Sequence, residues 1–360
     1  MRFRIPKTLV LLGLALLSAL ARAAVNDPSP DALVEADHWK RARAALEPRV
    51  QANPNDAKAL YLLSKVRVKY GDLDGAISLA EKAVALDGRS AEYQWQLAES
   101  VGEKADKVGG LSAFGLARRF KREGEKAMAL DAKHVDSRFG MMIFHLRAPG
   151  IVGGDKKKAY ALAEEIARIS PSDGYFAQAR MLREEKKSES PESYYLKALS
   201  ADPRRYSTHI ALVNFYFSAP QQKYDLVEKY AREAVKLEPG RTGGYGGQAI
   251  VFARQKRWKE LDATLAQAEK NVPDNFTPFY NAGNILLADG SDLPRAEKYF
   301  RKYLTIEPEP ETPTHADAHW RLALVLERMG RKPEAVQELE KALQLNPKLE
   351  GAKKDMKRLK

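Results

Sequence analysis

The sequence of 360 residues contains no cysteine. Disulfide bonds, thiolate metal sites and cysteine nucleophiles are therefore excluded, although this absence is compatible with either redox compartment. Histidine is scarce too, with six in the chain, and only His315 and His319 lie close together. Their i, i+4 spacing could place two metal ligands on one helix face. No third ligand lies at a suitable spacing, so we expect no metal site.

Recognisable catalytic motifs are also missing. Neither HExxH nor GxSxG occurs anywhere in the chain. Gly150, Gly153 and Gly154 precede Lys156, but they lack the spacing of a phosphate-binding loop and do not follow a predicted strand. We interpret residues 147–155 as a long surface turn between two helices. We therefore expect no enzyme activity, no catalytic residue and no cofactor.

Long apolar runs are limited to residues 9–20, near the N-terminus. This run is shorter than the roughly 20 residues that span a bilayer, which argues against the alternative of an uncleaved membrane anchor. Basic residues precede it, and Ala-Arg-Ala follows at 21–23, which is typical of a secretory signal peptide. We predict that residues 1–23 are a signal peptide cut after Ala23. The mature chain would then be periplasmic or secreted, with no transmembrane anchor.

What the sequence does contain is a recurring pair of amphipathic helices. In residues 316–347, Leu322, Ala323 and Leu326 recur at the spacing of one helix face. Gly330 is placed to end this helix, and a second apolar helix follows and stops at Pro347. The residue that ends the second helix recurs along the chain at gaps of 32–44 residues: Pro54, Gly88, Ala132, Pro171, Pro203, Pro239, Pro273, Pro308 and Pro347.

This hairpin resembles the tetratricopeptide repeat (TPR), whose pattern of bulky, leucine and small residues, then alanine and proline, it matches. The resemblance covers roughly residues 37–360. One such hairpin cannot bury its own apolar face, so several must stack. The resemblance implies an all-α, TPR-type α-solenoid, a right-handed superhelix of about eight helical hairpins with terminal capping helices.

The repeat pattern also predicts the boundaries of the parts. We expect a linker at 24–36, an N-terminal capping half-repeat at 37–56, a solenoid at 57–347 and a C-terminal capping helix at 348–360. Insertions interrupt the period at 107–114 and 147–155. The predicted repeats are 57–90, 91–134, 135–173, 174–205, 206–241, 242–275, 276–310 and 316–347.

The resemblance further implies that the first helix of each repeat lines a concave groove for a peptide or a partner's helix. Carrying those positions over gives the candidate groove residues Tyr61, Lys65, Trp95, Glu99, Phe139, Ile143, Asn214, Phe217, Tyr280, Asn284, Trp320 and Leu324. Alternatively, several of them only pack between neighbouring repeats. Chaperone-binding TPR domains hold a peptide through a two-carboxylate clamp of lysine, asparagine and arginine residues. Only Asn281 and Arg321 of this chain fall at matching positions, so we expect that clamp to be absent.

These observations predict a non-enzymatic protein–protein interaction scaffold or adaptor of the cell envelope, with another protein as its partner. The formal net charge is +12, and basic runs occur at 118–122 and 353–360. An alternative function is therefore the binding of anionic envelope lipid or glycan through these basic surfaces. Both charge signs are mixed through the repeats, so we expect no nucleic-acid binding.

Overall fold

A computed structural model describes residues 28–185, 190–218 and 221–359. The predicted signal peptide, its cleavage point and Ala24 lie outside these residues. Within them the chain forms nineteen α-helices and one short 3₁₀-helix, with no β-strand. None of the helices in this part of the chain has the length and apolarity of a membrane-spanning segment.

Two helices precede the repeats. Helix α1 spans Pro30–Glu35 and α2 spans Trp39–Ala52. Part of the segment 24–36, expected to be a linker, is therefore helical. Leu33 and Val34 explain the difference, because both are buried in the first apolar cluster of the molecule.

Eight antiparallel helical hairpins follow, and each packs on the next along the chain. The predicted all-α solenoid is thereby confirmed. The helix pairs are α3 Ala57–Lys69 with α4 Leu73–Leu86, α5 Ala91–Val108 with α6 Gly110–Leu130, α7 Val135–Arg147 with α8 Lys156–Ile169, α9 Pro171–Glu184 with α10 Glu192–Ala201, α11 Tyr206–Phe217 with α12 Tyr224–Leu237, α13 Thr242–Arg254 with α14 Trp258–Asn271, α15 Thr277–Asp289 with α16 Leu293–Tyr303, and α17 His315–Arg328 with α18 Lys332–Leu345; α19 Glu350–Leu359 ends the described chain.

The first insertion lengthens helices instead of forming a loop. Helices α5 and α6 contain 18 and 21 residues, and they meet at Gly109 and Gly110. Both glycines have positive φ values, 60° and 58°, which residues with a Cβ rarely adopt. The second insertion, 147–155, contains the 3₁₀-helix Gly150–Val152 and buries Val152.

Small apolar residues let the helices approach closely. Ala76, Ala80 and Ala83 on α4 are fully buried, as is Leu322 on α17. The largest apolar cluster runs from α9 to α19, and smaller clusters connect the hairpins before it. Helix α9 begins at Pro171, before the predicted boundary at 174, because Ser170 caps it and proline suits the first turn.

The N-terminal cap also contacts repeats far along the chain. His38 Nδ1 lies 2.8 Å from Asp274 Oδ2, and the Lys40 backbone N–H donates to Glu309 Oε2 at 3.1 Å. Two further ion pairs lie nearby: Arg241 pairs with Asp37 (2.6 Å), and Lys69 at the end of α3 pairs with Glu311 (2.8 Å). We call these contacts the N-terminal closure. They show that the solenoid curves back until its start meets the connections before α13, α15 and α17.

Candidate functional site

The first helices of adjacent repeats lie side by side along much of the solenoid, and we call the surface they form the first-helix face. Contacts of this kind join α3 to α5, α7 to α9, α11 to α13, α13 to α15 and α15 to α17. All twelve candidate groove residues lie on these first helices. Their exposure differs, and this separates candidates that could meet a partner from those that pack inside the protein.

Three of the candidate aromatics are largely buried, with exposed fractions of 9, 7 and 6% for Tyr61, Trp95 and Tyr280. The Tyr280 ring centroid lies 5.5 Å from that of Phe300 on α16. The Tyr61 ring centroid lies 5.0 Å from that of Tyr93 on α5. For these rings, packing between helices is the main role that the structure shows.

Trp320 packs against the C-terminal helix. Its Nε1–H donates to Asp355 Oδ2 at 2.9 Å. A Cβ atom added to Gly351 would lie 2.2 Å from the indole ring, so the glycine is what lets α19 approach. The chain's own capping helix therefore covers part of the Trp320 side chain.

The remaining candidates are half-buried or exposed: Lys65, Glu99, Phe139, Ile143, Asn214, Phe217, Asn284 and Leu324. The structure brings some of them together at two places. Asn214 and Phe217 line a depression between α11, α13 and α15. Glu99 and Ile143, with Trp95, line a cavity in the second and third repeats.

We call the depression between α11, α13 and α15 the amide groove; its volume is about 170 Å³. Gly243 and Gly246 of α13 line it and contribute no side chains. A Cβ atom at Gly246 would lie 3.1 Å from Asn281 Nδ2, so a larger residue would narrow the groove. The sequence indicates only that these glycines weaken a helix, by about 1 kcal/mol each. Their effect on the surface follows from the packing.

Two side-chain amides border the amide groove. Asn214 is exposed and Asn281 is half-buried. Neither amide makes a hydrogen bond to any side chain or backbone group in the described part of the chain. An asparagine amide both donates and accepts, as a peptide backbone does. Phe217 adds a half-buried apolar contact at the edge.

Asn281 is also one of the two residues that fit the carboxylate clamp. The other, Arg321, places its guanidinium 4.3 Å from the centre of the Trp320 ring. The amide groove includes Asn281 but is not lined by Arg321. The structure does not bring the two together in this groove.

The second place is a cavity of about 440 Å³ between α5, α6, α7 and the connection 147–155, which we call the insertion cavity. Both segments that interrupt the repeat period contribute to it. Trp95 and Phe120 form part of its wall, with ring centroids 5.7 Å apart. Pro149 and Val152 of the connection close one side.

Carboxylates line the α5 side of the insertion cavity. Glu99, Glu103 and Asp106 occupy successive turns of this helix. Burial raises the pKa of Glu99, the Lys65 ammonium opposes this shift, and the Asp136 carboxylate adds to it.

Both basic runs are accompanied by acidic residues. Arg119 lies 2.5 Å from Glu81, and Arg122 lies 2.7 Å from the buried Glu123. In the second run, Lys353 pairs with Glu350 at 2.8 Å, and Arg358 pairs with Asp355 at 2.9 Å. Much of their positive charge is therefore balanced within the protein.

The two neighbouring histidines bind different groups of the protein. His315 Nε2 lies 2.8 Å from the Ile306 carbonyl oxygen, and His319 Nδ1 lies 2.5 Å from Glu338 Oε2. Among the residues that the structure describes, no group of three or more His, Cys, Asp or Glu could hold a metal ion.

Comparisons with known proteins place repeats at both ends of the chain. Residues 31–92 and residues 316–349 each match a family model of the tetratricopeptide repeat. No curated protein shows a significant match. Similar solved structures include yeast Tom70 (16% identity, covering 92% of this chain and 79% of that one, TM-score 0.48), Pseudomonas aeruginosa pilF (14%, 62% and 97%, 0.43) and a Thermus thermophilus TPR protein (16%, 52% and 96%, 0.46). The first and last hairpins of this all-α solenoid therefore match the tetratricopeptide repeat.

Proposed function

We propose that this chain is a non-enzymatic scaffold of the cell envelope that binds an extended segment or a helix of another protein on its first-helix face. The observation that carries the proposal is the amide groove, where glycines open the surface beside two amides that have no partner in the described chain. Solenoids present long surfaces of this kind because each repeat adds a similar strip beside its neighbour.

The chemistry of the amide groove fits a polypeptide. An extended segment presents backbone N–H and C=O groups. The Asn214 and Asn281 amides can accept a hydrogen bond from such an N–H or donate one to such a C=O. Phe217 offers apolar area for a side chain of the partner. Buried aromatic anchors surrounded by weaker contacts are typical of protein interfaces.

A photocrosslinking experiment tests the location. A photoreactive phenylalanine analogue at position 217 should crosslink one discrete partner in the source cell. The same analogue at Lys236, an exposed residue of α12, serves as the control and should give no such product. Equal crosslinking of that partner from both positions would contradict the proposed surface.

A pair of glycine variants then tests the groove with the recovered partner. Gly246→Leu fills the amide groove and should weaken binding about tenfold or more, as expected for a central contact. Gly115→Leu is the matched control, because a Cβ atom there meets nothing within 4 Å. Unchanged binding by a folded Gly246→Leu protein would refute the groove as the binding site.

The envelope location rests on the N-terminal sequence pattern. The basic start, the apolar run and the small-x-small triplet support export with a cut after Ala23. N-terminal sequencing of the protein from its source cell should find Ala24 first. If most of the protein begins at Met1, the proposed envelope location is wrong, but the proposed binding at the amide groove is unaffected.

A further inference from the structure

The insertion cavity is separate from the amide groove and has its own chemistry. Its volume of about 440 Å³ lies within the range of roughly 300–1,000 Å³ typical of small-ligand sites. A regular repeat does not produce it. It is lined by the long helices α5 and α6, by α7 and by the 147–155 connection.

The aromatic wall of the insertion cavity is held in place by close packing. Phe120 lies between Trp95 and Phe144, with ring centroids 5.7 Å and 5.2 Å away. A Cβ atom at Gly140 would lie 2.1 Å from the indole ring of Trp95, so the ring fills the space left by this glycine. The wall is an apolar surface formed by three neighbouring aromatic rings.

The carboxylates of α5 that line the cavity lack hydrogen-bonded partners, although the Lys65 ammonium attracts Glu99 at longer range. Glu99, Glu103 and Asp106 form no hydrogen bond or ion pair with other residues in the described part of the chain. Arg147 also borders the cavity, but its guanidinium makes two bonds to Glu184, of 2.6 and 2.8 Å. The guanidinium that lines the cavity is therefore hydrogen-bonded to a carboxylate of another helix, and it acts on Asp106 only through longer-range attraction.

This combination selects among ligand chemistries. An anion would be repelled by three carboxylates, and a neutral apolar molecule would bury Glu99 without compensating its charge. The described residues do not form a metal-binding group here. A cation at the end of an apolar chain fits this lining, since the chain covers the rings and the cation meets the carboxylate.

We propose that the insertion cavity binds an ammonium or guanidinium group carried on a linear aliphatic chain, with the cation at Glu99 and the chain along Trp95 and Phe120. Free diamines and the lysine side chain of a protein share this chemistry. The site lies on other repeats than the amide groove and does not depend on the partner proposed for it.

Calorimetric titration of the full mature chain with 1,5-diaminopentane and with Nα-acetyl-lysine methylamide tests the proposal. We expect saturable binding of at least one of them, weakened about tenfold or more by Glu99→Gln. Glu340→Gln is the matched control, because Glu340 is exposed on α18 and far along the chain. 1,5-Pentanediol and ammonium chloride, which lack the charge or the chain, should bind neither protein detectably.

Binding of the diamine alone assigns the site to a free amine, and binding of the lysine derivative alone assigns it to a protein side chain. A second variant, Ala113→Trp, fills the cavity without removing charge and should abolish binding even if Glu99→Gln fails to fold. The proposal is overturned if neither probe binds, if pentanediol binds equally well, or if folded Glu99→Gln or Ala113→Trp protein binds like the parent.

Discussion

Leu322 and Trp320 are two positions apart on α17, and the structure gives them different neighbours. Leu322 is fully buried in the apolar cluster that contains Ala335 and Leu339 of α18. Trp320 is half-buried and contacts α19 through its hydrogen bond to Asp355. The sequence assigns Trp320 to the first-helix face, and only the structure shows that the capping helix shares it.

We therefore predict that Leu322→Ala and Trp320→Ala destabilise different elements. Leu322→Ala should lower the free energy of unfolding by about 2–5 kcal/mol, because a cavity remains where the side chain packed. Trp320→Ala should release α19 first and cost less. Hydrogen exchange should show protection lost in α17 and α18 for the leucine variant and in α19 for the tryptophan variant.

Leu345→Ala is the matched control for this prediction, because that leucine is 58% exposed at the end of α18. Its effect on unfolding should stay within about 0.5 kcal/mol. Trp320→Ala protein with a fully protected α19 would show that the indole does not hold the capping helix.

At the scale of elements, the connection 147–155 shows how a turn acquires a defined shape. Gly153 has a φ of 100°, and Val152 is buried while Ile151 is 68% exposed. A Cβ atom at Gly154 would lie 1.8 Å from the Ala148 carbonyl oxygen. The segment is thus the expected turn, but close backbone contact fixes it against the insertion cavity.

We predict that Gly154→Ala distorts this connection, because the added methyl group cannot fit beside the Ala148 carbonyl. Limited proteolysis should cut the variant faster between residues 147 and 155 than the parent. Gly150→Ala is the matched control, since a Cβ atom there meets nothing within 4 Å. Equal cleavage of the two variants would contradict the predicted strain. Neither variant should bind nucleotides.

At the scale of the whole molecule, the N-terminal closure buries ionisable groups. Burial raises the pKa of Glu309 to about 7, although the Lys40 ammonium and backbone N–H oppose this shift. Burial also disfavours ionisation of Asp274, but the His38 ring holds the pKa of that carboxyl below its usual range. Glu309 Oε1 and Asp274 Oδ1 have no hydrogen-bond partner among the described residues.

We predict that the closure weakens as pH rises from about 4.5 to 7. In this window the folded protein keeps a proton on Glu309 that the unfolded chain releases, so the stability falls by about 1.4 kcal/mol per pH unit. By the time the pH exceeds 7, the free energy of unfolding has fallen by about 3 kcal/mol at most. Glu309→Gln should remove this dependence and melt at a higher temperature than the parent at pH 8.

Melting curves between pH 5 and 8 measure this effect, and small-angle scattering reports whether the solenoid opens. Glu307→Gln is the control, because Glu307 is an exposed neighbour in the same connection. A Glu309→Gln protein that follows the parent at every pH would show that this carboxyl does not control the closure.

The sequence alone predicted the all-α class and the recurring helix pairs. Amphipathic spacing and small residues act within one repeat, so Gly330 and Ala335 reveal their roles without knowledge of distant residues. The sequence also selected Glu99, Asn214 and Phe217 as surface candidates.

Tertiary structure decided how the repeats assemble into surfaces. It placed α19 over Trp320, joined the two insertions into one cavity and brought His38 to Asp274 across 236 positions. The curvature that does this is the sum of small rotations between successive repeats. Local patterns set each helix, but the accumulated rotation sets which distant residues meet.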